Sequence, residues 1–260
     1  MTHHVFEPDY YQHIHDLEGT HWWHVGMRDL MARWLDPALA GAQPLRVLDV
    51  GCGTGLVVNW LRRYSLAGEP AGIDLSAHAL AYGRERGAIA LALATANRLP
   101  LPAEHFDLVV CLDTLQHIAP AGADRESIRG FARVLKPGGY LFLRTNSALG
   151  HAPLRGSDPN LYRRYWLREL ADMLGEAGLE IQRASYANGL MSIWAMLKEY
   201  LTPHRPGAPI GPGLSIRQPR FTLINAILYR LLSIETWIIG PLGRQLPFGH
   251  SIVILARKSE

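Results

Sequence analysis

The chain has 260 residues, a formal net charge of +3, 48% hydrophobic residues and 19% charged residues. Its length suits one α/β domain with an added lid better than two independent domains, and its composition can bury a large core. The mild charge, with no block of Lys or Arg, leaves no nucleic-acid footprint, and no run of about 18 uninterrupted apolar residues marks a membrane span.

The first residues, MTHHVFEPDYYQHIHDLEG, show no basic stretch followed by an apolar one, so no secretory leader is expected. Residues 1–43 are rich in His, Trp and Tyr. Leu30, Met31, Trp34 and Leu35 recur at helical spacing, and Asp36-Pro37, Gly41 and Pro44 read as breaks. From Leu45 the pattern changes. LRVLDV (45–50) is a short apolar run ending in glycines, as a buried strand does, and LVVNWLRRY (56–64) reads as a helix. PAGIDL (70–75) is a second strand. SAHALAYGRERG (76–87) is a helix with Ser76 as its N-cap and Gly87 as its stop.

A third strand is expected over 89–94 and a fourth over FDLVVCLD (106–113). DRESIRGFARVL (124–135) is a helix halted by Lys136-Pro137-Gly138-Gly139, and GYLFLRTN (139–146) is a fifth strand. LRELADMLGEAG (167–178) is helical, LEIQRASY (179–186) a sixth strand and SIVILARK (251–258) a last one. Strands alternating with helices predict a parallel sheet covered on both faces. Residues 187–250 interrupt it with an apolar helix (190–201), a Pro/Gly-rich loop and a second apolar helix (221–239). The chain is therefore expected to be one domain: an N-terminal lid (1–43), a core (44–186 plus 251–258) and a helical cap insert (187–250). The insert joins neighbouring strands, so it and residues 1–30 are expected to close over the carboxyl edge of the sheet, with Met191, Trp194, Leu228 and Tyr229 lining an apolar pocket.

The chemistry-bearing stretch is VLDVGCGTG (47–55). Gly51, Gly53 and Gly55 sit on a strand-to-helix turn where a ligand can approach backbone without meeting a Cβ. Leu56 follows, so the pattern is GxGxG, one residue short of the pyrophosphate-binding form. Asp49, just before the turn, suits a cationic ligand and repels a pyrophosphate. Asp74 ends the second strand roughly twenty residues after the turn, the position of a ribose-binding acid; a helix N-cap is its alternative, a role Ser76 fills.

VLDVGCGTG, GIDLS (72–76), LPLPAEHFDLVV (99–110) and RVLKPGGYLFLRTN (133–146) together closely resemble the ordered motifs of class I S-adenosylmethionine-dependent methyltransferases, and RRYWLRELADMLGEAGLEIQRASY (163–186) continues the likeness. The resemblance implies a Rossmann-like seven-stranded sheet whose last strand is antiparallel. It implies adenosylmethionine as cofactor, held by Asp49, Gly51, Cys52, Gly53, Gly55, Asp74 and Leu75, with Leu75 on the adenine, and by Thr95, Ala96, Asn97 and Leu112. Thr95 departs from the pattern, which often has Asp there against the adenine amino group. Arg28, in THWWHVGMRDL (20–30), is a candidate partner of the cofactor carboxylate; a solvated helix face is its alternative.

Methyl transfer from a sulfonium needs alignment first and a base only for a protonated acceptor. His117, after the fourth strand with Asp113 and Gln116 beside it, is the candidate base, with packing as the alternative. Trp22 and Trp23 are candidates to cover the sulfonium by cation–π attraction or to pack the core. Tyr162, Arg164 and Tyr165 are candidate acceptor contacts. His3, His4, His13, His15, His21 and His24 crowd the N-terminus, but without Cys or an HExxH pattern no metal site is expected. Cys52 and Cys111 lack CxxC spacing, which fits a reduced, cytoplasmic compartment.

The expected activity is methyl transfer to O, N or C of a small or lipid-linked molecule, such as a natural product or sugar. A non-catalytic adenosylmethionine-binding protein and an NAD-dependent oxidoreductase are the alternatives. For the helix over 221–239 three roles are open: closing an acceptor pocket, resting on a membrane surface, or forming a homodimer interface.

Overall fold

The computed structural model describes residues 8–41, 44–65, 68–149, 163–190, 192–193, 197 and 222–260. Two helices open the chain, α1 (Pro8–Leu17) and α2 (Trp22–Ala38). The alternating part follows: β1 (Val47–Val50), α3 (Leu56–Leu61), β2 (Ala71–Asp74), α4 (Ala77–Glu85), β3 (Leu91–Leu93) and β4 (Phe106–Leu112). Then come α5 (Ala123–Val134), β5 (Leu135–Asn146), α6 (Leu167–Glu176), β6 (Leu179–Ala187), α7 (Thr222–Ile239) and β7 (Ser251–Lys258).

The seven strands form one sheet in the order β3-β2-β1-β4-β5-β7-β6. β1 pairs in parallel with β2 and with β4, and β4 in parallel with β5. β7 runs antiparallel to both β5 and β6. The fold is the Rossmann-like α/β sheet the motifs implied. The chain winds outward from β1 in both directions, so the carboxyl ends of β1 and β4 flank the switch point where open α/β sheets bind ligands.

Side-chain alternation along the central strands explains why both faces are covered. Leu48, Val50, Val109, Cys111, Leu141 and Leu143 point to one face, packed by α5 and α6. Val47, Leu108, Val110, Phe142, Val253 and Leu255 point to the other, where α2 lies with Met27, Leu30, Met31, Trp34 and Leu35 buried against them. The Trp34 and Phe142 rings meet edge-on with centroids 6.2 Å apart.

Three boundaries differ from the sequence expectation. Pro37 does not break α2, because in the last turn it removes a single N–H, and Leu39 N still bonds Leu35 O at 2.9 Å. β5 begins at Leu135, before the Lys136-Pro137-Gly138-Gly139 turn. That turn is absorbed as an irregularity: Phe106 faces Leu135 and Leu108 faces Tyr140. The helix over 56–64 finishes as a 3-10 turn over Arg62–Tyr64.

Of the insert, α7 lies along α2, parallel to it, and also meets the residues that follow the carboxyl end of β6. Asn225 bridges Trp22 N at 2.9 Å and Thr20 O at 3.0 Å, and Tyr229 Oη donates to Asp29 at 2.8 Å. Leu232 fills the space above Gly26, where a Cβ would come within 2.4 Å of it. Glu235, buried, accepts the backbone N–H groups of Asn188 and Leu190. The outer face of α7 stays open: Leu223, Ile224, Ile227, Leu231, Ile234 and Trp237 are all exposed. Met191 and Trp194 of the expected pocket lie outside the described residues, as does most of the helix expected over 190–201.

Candidate active site

The glycine turn is built by its backbone. Gly51 N and Cys52 N both donate to Ile73 O, at 2.8 and 2.9 Å, which clamps the turn to the end of β2. Gly51, Gly53 and Gly55 all have positive φ (+76°, +52° and +76°). Two of the three are forced by crowding: a Cβ on Gly51 would strike Thr114, and one on Gly55 would come within 2.6 Å of Gly83 Cα. Gly53 is different, since a Cβ there would meet nothing within 4 Å. Its backbone faces open space, as a surface that receives a ligand does.

Asp74 holds the other side of this space. Its carboxylate accepts Gly53 N and Ser76 N, both at 2.8 Å, so it ties the glycine turn to the start of α4. Ser76 caps that helix by accepting Ala79 N, as the sequence predicts. Leu75, next along, is exposed with no packing partner to cover it. Asp49 is buried beneath the turn. Burial and the nearby Asp74 carboxylate push its pKa up to about 8, and its Oδ2 has no hydrogen-bond partner. A buried unpartnered carboxylate oxygen and an open glycine backbone both fit a cationic ligand with polar edges. The loop after β3 completes this half. Thr95 is exposed, Ala96 and Asn97 are half-buried, and Arg133 pins the following residues by donating to Leu99 O and Leu101 O at 2.9 and 2.8 Å. The Cys52 side chain turns inward with Val58, Leu80 and Ala88, so it contributes backbone and packing rather than a ligand contact.

The N-terminal lid closes on this half through residues that the sequence reading did not single out. Tyr11 is buried beside Asp74 and Ser76. Thr54 donates to Glu18, Glu18 pairs with Arg86 at 3.0 Å, and Tyr82 donates to Gln12 at 2.6 Å. Arg28 Nη1 donates to the Glu18 carbonyl at 2.7 Å, which places the guanidinium at the inner end of the lid. Nothing in the spacing of Glu18, Thr54 and Arg86 marks them, because they meet only through the fold.

The other half lies over β4 and β5. Asp113, at φ +53°, is held by Arg144 through both guanidinium and carboxylate edges, with the shortest contact 2.5 Å. Arg144 is itself buried and stacks on Trp23 with its guanidinium carbon 4.7 Å from the ring centroid. His24 packs edge-on against Trp23 at 5.0 Å. Trp23 Nε1 and His24 Nε2 are buried with no hydrogen-bond partner, an arrangement that costs about 1–3 kcal/mol per group. Burial, then Arg144, His21 and Arg28, hold His24 well below the usual histidine range, so the ring is neutral.

Other candidates are placed elsewhere. Trp22 is buried in the core against α7. Tyr165 is fully buried, with its hydroxyl on Asp124 and Leu115 O at 3.0 and 3.2 Å, so it is a packing residue rather than an acceptor contact. Gln116 is buried too and ties the β4 loop to β5 by accepting Thr145 Oγ1 and Asn146 N. His117 is half-buried on the 3-10 turn after β4, Arg164 is half-buried near His250, and Leu112 packs toward α2. Tyr162 lies outside the described residues. Among the described residues no group of three or more His, Cys, Asp or Glu is placed to hold a metal, and both cysteines are free thiols.

Residues 48–143 match the methyltransferase domain family. The chain is 37% identical over 111 residues to a ubiquinone/menaquinone biosynthesis C-methyltransferase of Laribacter hongkongensis, covering 40% of this chain and 44% of that protein. It is 31% identical over 145 residues to a ubiquinone biosynthesis O-methyltransferase of Alkalilimnicola ehrlichii, covering 50% and 56%. The chain thus spans about half the length of these curated relatives. Among solved structures, it resembles phosphoethanolamine N-methyltransferase 2 of Haemonchus contortus in complex with S-adenosyl-L-methionine (TM-score 0.58, 18% identity, 90% of this chain and 53% of that one). It also resembles a [4+2]-cyclase (TM-score 0.54, 24% identity, 90% and 80%), so the fold by itself does not fix the chemistry. Sheet order, glycine turn and sequence likeness agree over the same stretch: residues 48–143 match the methyltransferase domain family and carry the sheet order and glycine turn described above.

Proposed function

We propose that the chain is an S-adenosylmethionine-dependent methyltransferase whose acceptor is a small molecule with an apolar body. The observation that supports it most is the open backbone at Gly53 facing the Asp74 carboxylate above the buried, unpartnered Asp49. Bound adenosylmethionine supplies a methyl group already activated on a sulfonium. Gly51, Gly53 and Gly55 admit its amino-acid and ribose parts, Asp74 accepts the ribose hydroxyls, Leu75 lies under the adenine, and Ala96 N and Asn97 meet the base edge. Asp49 supplies negative charge beneath the turn, and Arg28 is near enough to the lid's inner end to take the carboxylate. Calorimetry tests this. Adenosylmethionine and its demethylated product should both bind, and NAD should not. Saturable NAD binding without adenosylmethionine binding refutes the reading, and cofactor binding with no transfer to any acceptor makes the chain a binding protein.

The open face of α7 supports peripheral contact with a membrane, where a lipid-like acceptor resides. This helix is the one among the described residues long and apolar enough to cross a bilayer, but Glu235 is built into the fold and Arg230 is exposed on it, which suits lying on a surface better than spanning. Flotation with liposomes should carry the protein to the top of a gradient. A dimer that buries the α7 face, seen by sedimentation without liposome binding, refutes the membrane role.

A further inference from the structure

Glu18 joins several parts of the cofactor half, yet none of the contacts proposed for the cofactor gives it a task. It directly follows α1 and is buried. Its carboxylate accepts the hydroxyl of Thr54, the residue between Gly53 and Gly55, and pairs with Arg86 at 3.0 Å. Arg86 also donates to His15 O at 2.7 Å, so the end of α1 is fixed to the end of α4. The main-chain carbonyl of Glu18 accepts Arg28 Nη1 at 2.7 Å. The glycine turn is thus held from two sides, by Asp74 on Gly53 N and by Glu18 on the buried Thr54 side chain. Stability alone accounts poorly for this arrangement, because a buried ion pair is often matched or bettered by apolar residues of the same volume. A charge built onto the turn that admits the ligand suits orientation better.

We propose that Glu18 is a positioning residue for the amino-acid end of adenosylmethionine: through Thr54 it sets the glycine turn, and through its carbonyl it aims Arg28 at the cofactor carboxylate. This role presupposes the methyltransferase reading above. Arg28 is half-buried on α2. A guanidinium carries its N–H donors in a planar fork, so fixing one Nη on a carbonyl orients the rest of the fork for the two oxygens of a carboxylate. Without that anchor the side chain loses its rotamer freedom only when the ligand arrives, which weakens binding. The Glu18 carboxylate itself stays off the ligand. Thr54 and Arg86 engage it, and a direct approach would set it against the cofactor carboxylate. Its effect is therefore confined to ligands that carry the amino-acid part. Adenine and ribose, assigned to Asp74, Leu75 and the loop after β3, do not depend on it.

The test compares, by calorimetry on the full chain, two ligands that share adenine and ribose. One is adenosylhomocysteine, the demethylated cofactor, and the other is 5′-methylthioadenosine, which lacks the amino-acid part. In Glu18→Gln, adenosylhomocysteine affinity should fall about tenfold and 5′-methylthioadenosine affinity less than about twofold, a selectivity that a general packing role does not produce. Thr54→Val, which keeps the branched shape and removes the hydroxyl, should show the same selectivity with a loss of about three- to fivefold. Arg28→Met should weaken adenosylhomocysteine alone, and adding Glu18→Gln to it should cost clearly less than the loss of about tenfold in the parent, because the two residues act as one unit. Equal losses for the two ligands in Glu18→Gln, unchanged affinity for both, or fully additive losses in the double variant overturn the proposal. Should Glu18→Gln lose its melting transition, Thr54→Val decides by the same criterion. If the wild-type chain binds neither ligand, it is the methyltransferase reading that falls.

Discussion

The two halves of the carboxyl edge are built in opposite ways. Over β1 and β2 the polar groups are mostly closed by local backbone: Asp74 takes two N–H groups, Ser76 caps its own helix, and Ile73 O holds two amides of the turn. Over β4 and β5 the groups come from distant segments and stay incomplete, with Trp23 and His24 unpartnered beside an Arg144–Asp113 pair. The first half is thus set by short stretches of chain, and the second by segments that only the fold brings together.

The largest expected effect breaks the first half. Gly53→Val should lower adenosylmethionine affinity by about 100-fold or more, because the added side chain enters ligand space, and should lower the melting temperature as well, because a β-branched residue is strained at φ +52°. Near wild-type affinity by calorimetry would remove the turn from the cofactor site. Asp74→Ala should weaken the cofactor by about 1–3 kcal/mol, since it removes the ribose acceptor and frees Gly53 N together. Unchanged affinity in a folded variant would make Asp74 a structural brace only.

A smaller effect sharpens the comparison through pH. Asp49, pushed up to about 8, holds a proton in the cofactor-free fold that it lacks when unfolded at neutral pH. Its contribution to stability is therefore complete below about pH 4 and is lost as pH rises through about 8. Asp49→Asn should melt at a higher temperature than the parent at pH 8.5 and gain little at pH 4. A cationic ligand favours the ionised form, so adenosylmethionine affinity should rise with pH up to about 8, by at most about tenfold per unit, with proton release measurable in buffers of different ionisation enthalpy. A flat profile would show that the ligand charge does not reach Asp49. The smallest effect lies on α7. Ile227→Ser should change stability by less than about 0.5 kcal/mol because the side chain is exposed, yet reduce liposome flotation. A large drop in melting temperature would show that the face is covered in solution.

The sequence by itself determined the sheet, the glycine turn and Asp74. Each depends on short-range pattern: alternating apolar strands, glycines where φ must be positive, and a carboxylate at a strand end next to a capping serine. Even the antiparallel β7 came through the resemblance those motifs carry. What only the tertiary structure decided is who meets whom across the chain. Tyr165 looks from sequence like a ligand contact and is core, because α6 and the β4 loop close over it. Trp22 and Trp23 are adjacent and equivalent in the sequence, but successive helical positions differ by about 100°. One therefore packs under α7 while the other reaches Arg144, the single charge in an apolar strand run. His24 is one of six histidines in the first 24 residues, and only the packing of α2 leaves its Nε2 buried without a hydrogen-bond partner. The partner of α7 was out of reach for the same reason: the helix is apolar enough to need one, and periodicity cannot say that it is α2.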